Sequence, residues 1–232
     1  MPLDDSILGQ GVYTPREAAR LVGRTPQQVL RWTRGSGTDE PLWHAHYQFL
    51  EDSTEISFLD LVEVRVVASM RSAGISMQAI RFAMRLAQEK YGIERPLASQ
   101  NFKTDGRSIL MDAIEEDGEY VSLSSKYPGQ KVFKDIVDQS LNDLEYEEDL
   151  AARWRPADYQ AVVIDPKRFF GDPLLDEFGV STHTIYTEFN EFDDFRYLAS
   201  IYEIPIQAIK QAVAFERSLS AAQKETDGQN TV

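Results

Sequence analysis

Five arginines fall within residues 11–35 (Arg16, Arg20, Arg24, Arg31 and Arg34) against one acid, Glu17, a local charge of +4. The guanidinium is a planar fork of donors that grips a phosphate or the edge of guanine bidentately. Gln27 and Gln28 lie in the same run and carry the amide that matches the adenine edge. Thr25 can cap a helix there and, with its neighbours, present backbone N–H groups to a phosphate. These residue types at this spacing suit contact with double-stranded DNA. His44 and His46 form a His-x-His pair that points to one side if the segment is extended. A zinc site needs at least three ligands, and no third is evident nearby. That leaves a phosphate contact or plain solvation for the pair.

Other chemistry finds little support. The chain has no Cys, which removes disulfides, thiol nucleophiles and thiolate metal sites. The acids at 115–119 lack the spaced ligands of a calcium loop. Three His at 44, 46 and 183 give no credible Ser-His-Asp set, and no glycine-rich phosphate loop of either common spacing is present. Neither an enzyme nor a metal or cofactor is expected.

The arginines need helices to place them, and the local grammar predicts these. Thr14-Pro15-Arg16-Glu17 is a capping box with proline at the first helical position. Thr25-Pro26-Gln27-Gln28 repeats it, and Gly23 and Gly35 end the two helices. Two short helices joined by a tight turn form a helix-turn-helix pattern. Residues 36–55 lack helical periodicity; Trp43, Tyr47 and Phe49 alternate, which predicts a short hairpin or wing. Ser57 with Asp60 caps a helix apolar on most sides, the predicted central one. Ser76 caps a fourth, with Met77, Ile80, Met84, Ala87 and Tyr91 on one stripe.

Beyond Pro96 the pattern is mixed. Ser108–Ile114 and Tyr120–Ser125 read as strands, Val132–Leu144 as a helix, and Ala161–Ile164 as a short strand. Trp154, between Arg153 and Arg155, is expected to be buried at a joint, with arginine paired to Glu147 or Glu148. Three short helices are predicted from Ser181, Asp193 and Pro205, with a tight turn at Tyr202–Pro205. Residues 220–232 are polar and expected to be a disordered tail. The fold class is mainly α with small β elements, α+β, in four parts: 1–97, 98–160, 161–219 and the tail.

Charge divides along the same line. Of 232 residues, 38 are acidic and 24 basic, net −14. Residues 1–98 hold 11 basic and 12 acidic residues, net −1, so residues 99–232 carry 13 and 26, net −13. An even −14 would argue against a nucleic-acid partner; a basic front with an acidic rear suggests two surfaces for two partners. An acidic surface complements a basic protein. No apolar run approaches 18 residues, so no membrane span is expected. The acidic start lacks the features of a signal peptide, which predicts a cytoplasmic protein.

The run from Val12 to about Tyr91, carried by YTPREAARLVGRTPQQVLRW and ISFLDLVEVRVVASMRSAGISMQAIRFAM, resembles the MerR-type winged helix-turn-helix. The resemblance implies that the second helix of the pair enters the major groove and that wings touch the DNA backbone. It departs after Gly92, where Pro96 and a polar stretch replace the long dimerising helix. The segment from Val163 to Glu216, with Asp165-Pro166, Gly171-Asp172-Pro173 and the Ile-Tyr-x-Ile-Pro ending, resembles the domain of unknown function numbered 433. That family is common in antitoxins encoded beside PIN-type RNase toxins. It departs at Phe170, where glycine is common. The order of parts resembles a branch of Vap-type antitoxins.

The resemblance implies an antitoxin that binds operator DNA for autoregulation and neutralises a PIN-type toxin. DNA contacts then fall on Arg16, Arg24, Thr25, Gln27, Gln28, Arg31, Arg34, His44 and His46, in a two-fold homodimer. The alternative is a MerR-like transcription regulator with a small-molecule effector in the middle region, which needs a concave pocket there. A third reading makes both helical units protein-interaction modules.

Overall fold

The computed structural model describes residues 8–37, 40–50, 53–117, 135–136 and 139–229. Its front is four capped helices. Helix α1 (Pro15–Val22) and helix α2 (Pro26–Arg34) both begin with the reciprocal capping box, Thr14 with Glu17 and Thr25 with Gln28. Gly23 at φ 64° ends α1 in the left-handed conformation that glycine adopts without strain. Helix α3 (Phe58–Ser72) starts at a Ser57–Asp60 capping box, and α4 (Met77–Tyr91) starts at Ser76. Buried Leu61, Val62, Val64, Val66, Val67 and Met70 lie around most of α3, as expected of the central helix.

Among the described residues of 36–55 there is no strand where the wing was expected. Among the described residues 36–50, His46–Phe49 is a 3-10 turn. Tertiary hydrogen bonds override the strand-like alternation here. The Trp43 indole N–H donates to Asp60 Oδ1 (2.9 Å), the His46 N–H to Asp60 Oδ2 (2.9 Å) and the Tyr47 hydroxyl to the Gly11 carbonyl (2.5 Å). Residues 43–47 are thereby held to one buried carboxylate and to the Gly11 carbonyl.

A second difference follows Pro96. After a 3-10 turn at Pro96–Ala98, helix α5 runs from Gln100 to Asp117, where strand was expected at 108–114. Phe102, Ile109 and Leu110 are buried at a spacing of 7 and 8, which is helical. Gly106 lies beneath the Phe102 ring; a Cβ there would sit 2.7 Å from Phe102 Cδ2. The expected strand at Tyr120–Ser125 falls outside the described residues, as do 132–134, 137 and 138 of the helix expected from Val132; residues 135–136 and 139–140 are helical, and Leu144 belongs to a strand.

That strand opens an antiparallel meander in the order β1 (Leu144–Glu147), β2 (Leu150–Trp154), β3 (Val162–Ile164), β4 (Pro173–Leu175) and β5 (Val180–Ser181). Glu148 and Asp149 join β1 to β2 at φ 48° and 73°, both positive as a two-residue type I′ turn requires. Three helices follow: α6 (Thr182–Phe192), α7 (Phe195–Tyr202) and α8 (Ile206–Gln229). Helix α7 starts at Phe195, two residues after the predicted Asp193, with Asp194 as its N-cap. The expected tail is helical to Gln229, because α8 continues past Leu219.

Front and rear share one hydrophobic cluster, from Tyr13 and Val29 through Trp154 to Ile209 and Phe215. Several polar ties reinforce the joint. The Tyr13 hydroxyl donates to the Gly171 carbonyl (3.0 Å), and the Val12 N–H to the Phe170 carbonyl (2.8 Å). Arg65 makes two bonds to Asp143 (2.7 and 2.8 Å) and lies 4.2 Å from the centre of the Trp154 ring. Trp154 is buried as expected, and Arg153 and Arg155 both pair with Glu145. The class, mainly helical with one small antiparallel sheet, is the α+β class read from the sequence. No helix among the described residues is long and apolar enough to cross a membrane.

Candidate nucleic-acid interface

The two faces of α2 are sharply different. Val29, Trp32 and Thr33 are buried and fix the helix to the core, and the Thr33 hydroxyl returns to the Val29 carbonyl (3.0 Å). Gln27 and Arg31 are exposed and Arg34 half-buried, at i, i+4 and i+7 along the outer face, which places them in one line. Thr25 is buried, and its hydroxyl and the Gln28 amide are engaged in the capping box (3.2 and 3.1 Å). These two set the start of the helix. Arg16 is exposed on the first turn of α1.

Arg24 lies elsewhere. Its guanidinium donates to the Ala68 carbonyl (2.6 Å) and to Ser72. Burial, then the neighbouring Arg71, lowers its pKa. Arg24 therefore clamps the α1–α2 turn to α3. His44 is exposed and bonded to Gln48 (3.2 Å). His46 is half-buried, with its ring set edge-on to Tyr47 and Phe49. The two histidines do not share a strand face, which removes the geometry on which pairing them was based. Among the described residues no group of three His, Asp or Glu side chains could hold a metal ion.

Sequence reasoning missed the buried charge on α3. Arg95 bridges Asp60 Oδ1 and Glu63 Oε2, each at 2.8 Å, with both acids fully enclosed. Burial pushes Glu63 up to about 8, with Arg95 opposing and Asp60 adding to the rise. Burial also opposes ionisation of Asp60, but Arg95 and the N–H groups of His46 and Ser57 outweigh it and hold the carboxyl below its ordinary range. One signal was available: two acids three apart inside an apolar helix, of which only Asp60 is explained by capping. A second network joins the ends of the chain. Arg20 on α1 pairs with Glu216 on α8, which also accepts from the Thr182 hydroxyl on α6.

The front thus presents an arginine- and glutamine-lined helix on a rigid frame, and the rear is an acidic helical unit packed against it. The chain belongs to the antitoxin family represented by a Mycobacterium tuberculosis protein described as "Putative antitoxin VapB45", to which it is 30% identical over 221 residues, covering 87% of this chain and 92% of that one. It is also similar to the crystal structure of Rv2018 from Mycobacterium tuberculosis, with a TM-score of 0.67 and 25% identity, over 87% of this chain and 96% of that one. No family model matches the sequence.

Proposed function

We propose that this protein is the antitoxin of a type II toxin–antitoxin pair. Its α1–α2 unit binds operator DNA, as a two-fold dimer, and its acidic rear neutralises a PIN-type RNase toxin. It acts by binding and not by catalysis. The observation that carries the DNA half is the outer line of α2. Every inward side chain is anchored, while Gln27, Arg31 and Arg34 form a row spanning two helical turns. A helix that enters the major groove needs such an outward row; Gln27 and Arg31 are exposed, and Arg34 also lies close enough to Glu55 to help hold that carboxyl below its ordinary range. Arg16, exposed at the start of α1, suits a backbone phosphate. Membership of the antitoxin family supports the toxin half.

A mobility-shift assay with the protein's own promoter tests the reading. Loss of Arg31 removes a guanine-edge or phosphate contact and is expected to weaken binding by about tenfold or more. Wild-type binding should fall steeply with salt as counterions are released. Absence of binding by the wild type, alone and with the neighbouring gene product, would overturn the DNA assignment.

The effector reading, a small molecule in the middle region, is favoured by an open cleft of about 630 Å³ within that region, lined by Asn142, Asp143, Glu145, Arg155, Pro156 and Gln160 among others. A second open cleft of about 710 Å³ lies between the front and the sheet, lined by Gly9, Phe58, Glu147, Leu150, Pro166 and Lys167 among others. The Lys167 ammonium already pairs with Glu147 at 2.7 Å across it. A ligand that raised or lowered operator affinity by binding in the middle-region cleft would favour this reading.

A further inference from the structure

The knuckle between α6 and α7 exposes three large apolar side chains side by side. Phe192 is 47% exposed, Tyr197 42% and Ile201 54%. The Phe192 and Tyr197 rings lie 5.0 Å apart between centroids, and Tyr197 and Ile201 are one helical turn apart on α7. The knuckle is rigid beneath them. Phe189 and Phe195 stack at 4.2 Å, Leu198 is buried, and the Tyr202 hydroxyl donates to Glu188 (2.6 Å). An exposed aromatic and aliphatic cluster on a fixed frame is the form an interface anchor takes.

Acids surround the cluster. From residue 188 to 203 there are five (Glu188, Glu191, Asp193, Asp194 and Glu203) against one Arg196, net 1 − 5 = −4; two cations of α8 pack on the base of the knuckle, Lys210 over the Phe195 ring at 5.7 Å and Arg217 over the Phe189 ring at 5.2 Å, which leaves 3 − 5 = −2 around it, still acidic. Two of them occupy positions where glycine would be less strained, Asp193 at φ 50° and Glu203 at φ 56°. The charge chooses between occupants. Two copies of this chain meeting knuckle to knuckle would face like charge across an apolar contact, and DNA would be repelled. The complementary surface is an apolar groove flanked by Lys and Arg.

We infer that the Phe192–Tyr197–Ile201 knuckle is the docking site for the toxin, seating in an apolar groove of that protein rimmed by basic side chains. The inference deepens the antitoxin reading and rests on it. The aromatic anchors supply affinity, and the acidic rim supplies encounter rate and orientation.

The test uses the full chain co-expressed with the product of the neighbouring reading frame as the probe. The double variant Tyr197→Ala/Ile201→Ser truncates only exposed side chains, so its melting temperature and operator binding should match the wild type. Capture of the probe should fall about tenfold or more. Glu191→Lys should slow association and reduce its salt dependence. Wild-type capture that survives the double variant unchanged would overturn the docking site while leaving the antitoxin reading intact. A wild-type chain that fails to capture the probe would overturn both. A chain dimeric alone but monomeric as the double variant would show that the knuckle is a self-association face, and would also overturn the assignment.

Discussion

Replacing Glu63 with Gln should change how stability depends on pH, and the size of the change can be worked from the site. Glu63 on α3 is fully buried, with Oε2 held by Arg95 at 2.8 Å and Oε1 without a hydrogen-bond partner among the described residues. Its carboxyl titrates near 8 in the fold, against an ordinary value of 4.5. At about 1.4 kcal/mol per pH unit, ionisation in the fold costs about 5 kcal/mol more than in the unfolded chain. The folded state therefore binds a proton that the unfolded chain releases between these limits. Stability contributed by this group is fully present below about 4.5 and is lost as pH rises through about 8. By pH 7 about 3 kcal/mol has gone. Glutamine is neutral throughout, keeps an oxygen for Arg95 and leaves Asp60 as the ionised partner. Urea unfolding of both proteins at pH 5, 7 and 8.5 should show a wild type that weakens with pH beside a variant that does so less steeply. The variant should be the more stable at pH 7. Parallel curves would refute the reasoning, because they would mean that Glu63 is ionised in the fold at little cost.

Other outcomes follow from contacts at the joint. Gly171→Ala should lower stability strongly, since its φ of 92° is strained for alanine and the new Cβ would fall 2.0 Å from the Tyr13 hydroxyl; thermal denaturation reads this. Arg20→Ala leaves Glu216 buried beside the Thr182 hydroxyl and, at 3.9 Å, His183 Nδ1, at an expected cost of about 3–5 kcal/mol, measurable by urea unfolding. Thr25→Ala should remove about 1 kcal/mol through the lost cap and weaken operator binding beyond that, because the start of α2 frays. Asp193→Gly should raise the melting temperature slightly by relieving the left-handed strain, while weakening capture of the neighbouring gene product.

What could be read in the sequence was the local grammar. Thr14, Thr25, Ser57 and Ser76 each announce a helix within four residues of themselves, and all four helices start where these caps place them. The line of Gln27, Arg31 and Arg34 was legible because burial of Val29 and Trp32 fixes which way α2 turns. The misread segments answer to distant partners. Trp43 and Tyr47 look like strand residues until Asp60 and Gly11 claim their polar ends. Strands β4 and β5 are three and two residues long, too short for alternation to show. Arg24 lies in the same basic run as Arg31, and nothing in its immediate neighbours reveals that Ala68 and Ser72 take its donors. Residues 108–114 have strand-like composition, yet the spacing of Phe102, Gly106, Ile109 and Leu110 carried the helix.

The network of Arg20, Glu216 and Thr182 has a consequence for how such a protein would sit on DNA. It crosses from the reading unit to α8 and α6 without an intervening linker, alongside the bond from Tyr13 to Gly171. The knuckle is consequently not tethered to α2 but set at a constant offset from it, like a mark on a ruler. Two such chains on adjacent half-sites would present their knuckles at a separation and rotational phase set by the helical repeat of the DNA. Changing operator spacing by half a helical turn would then move the two knuckles to opposite sides of the duplex.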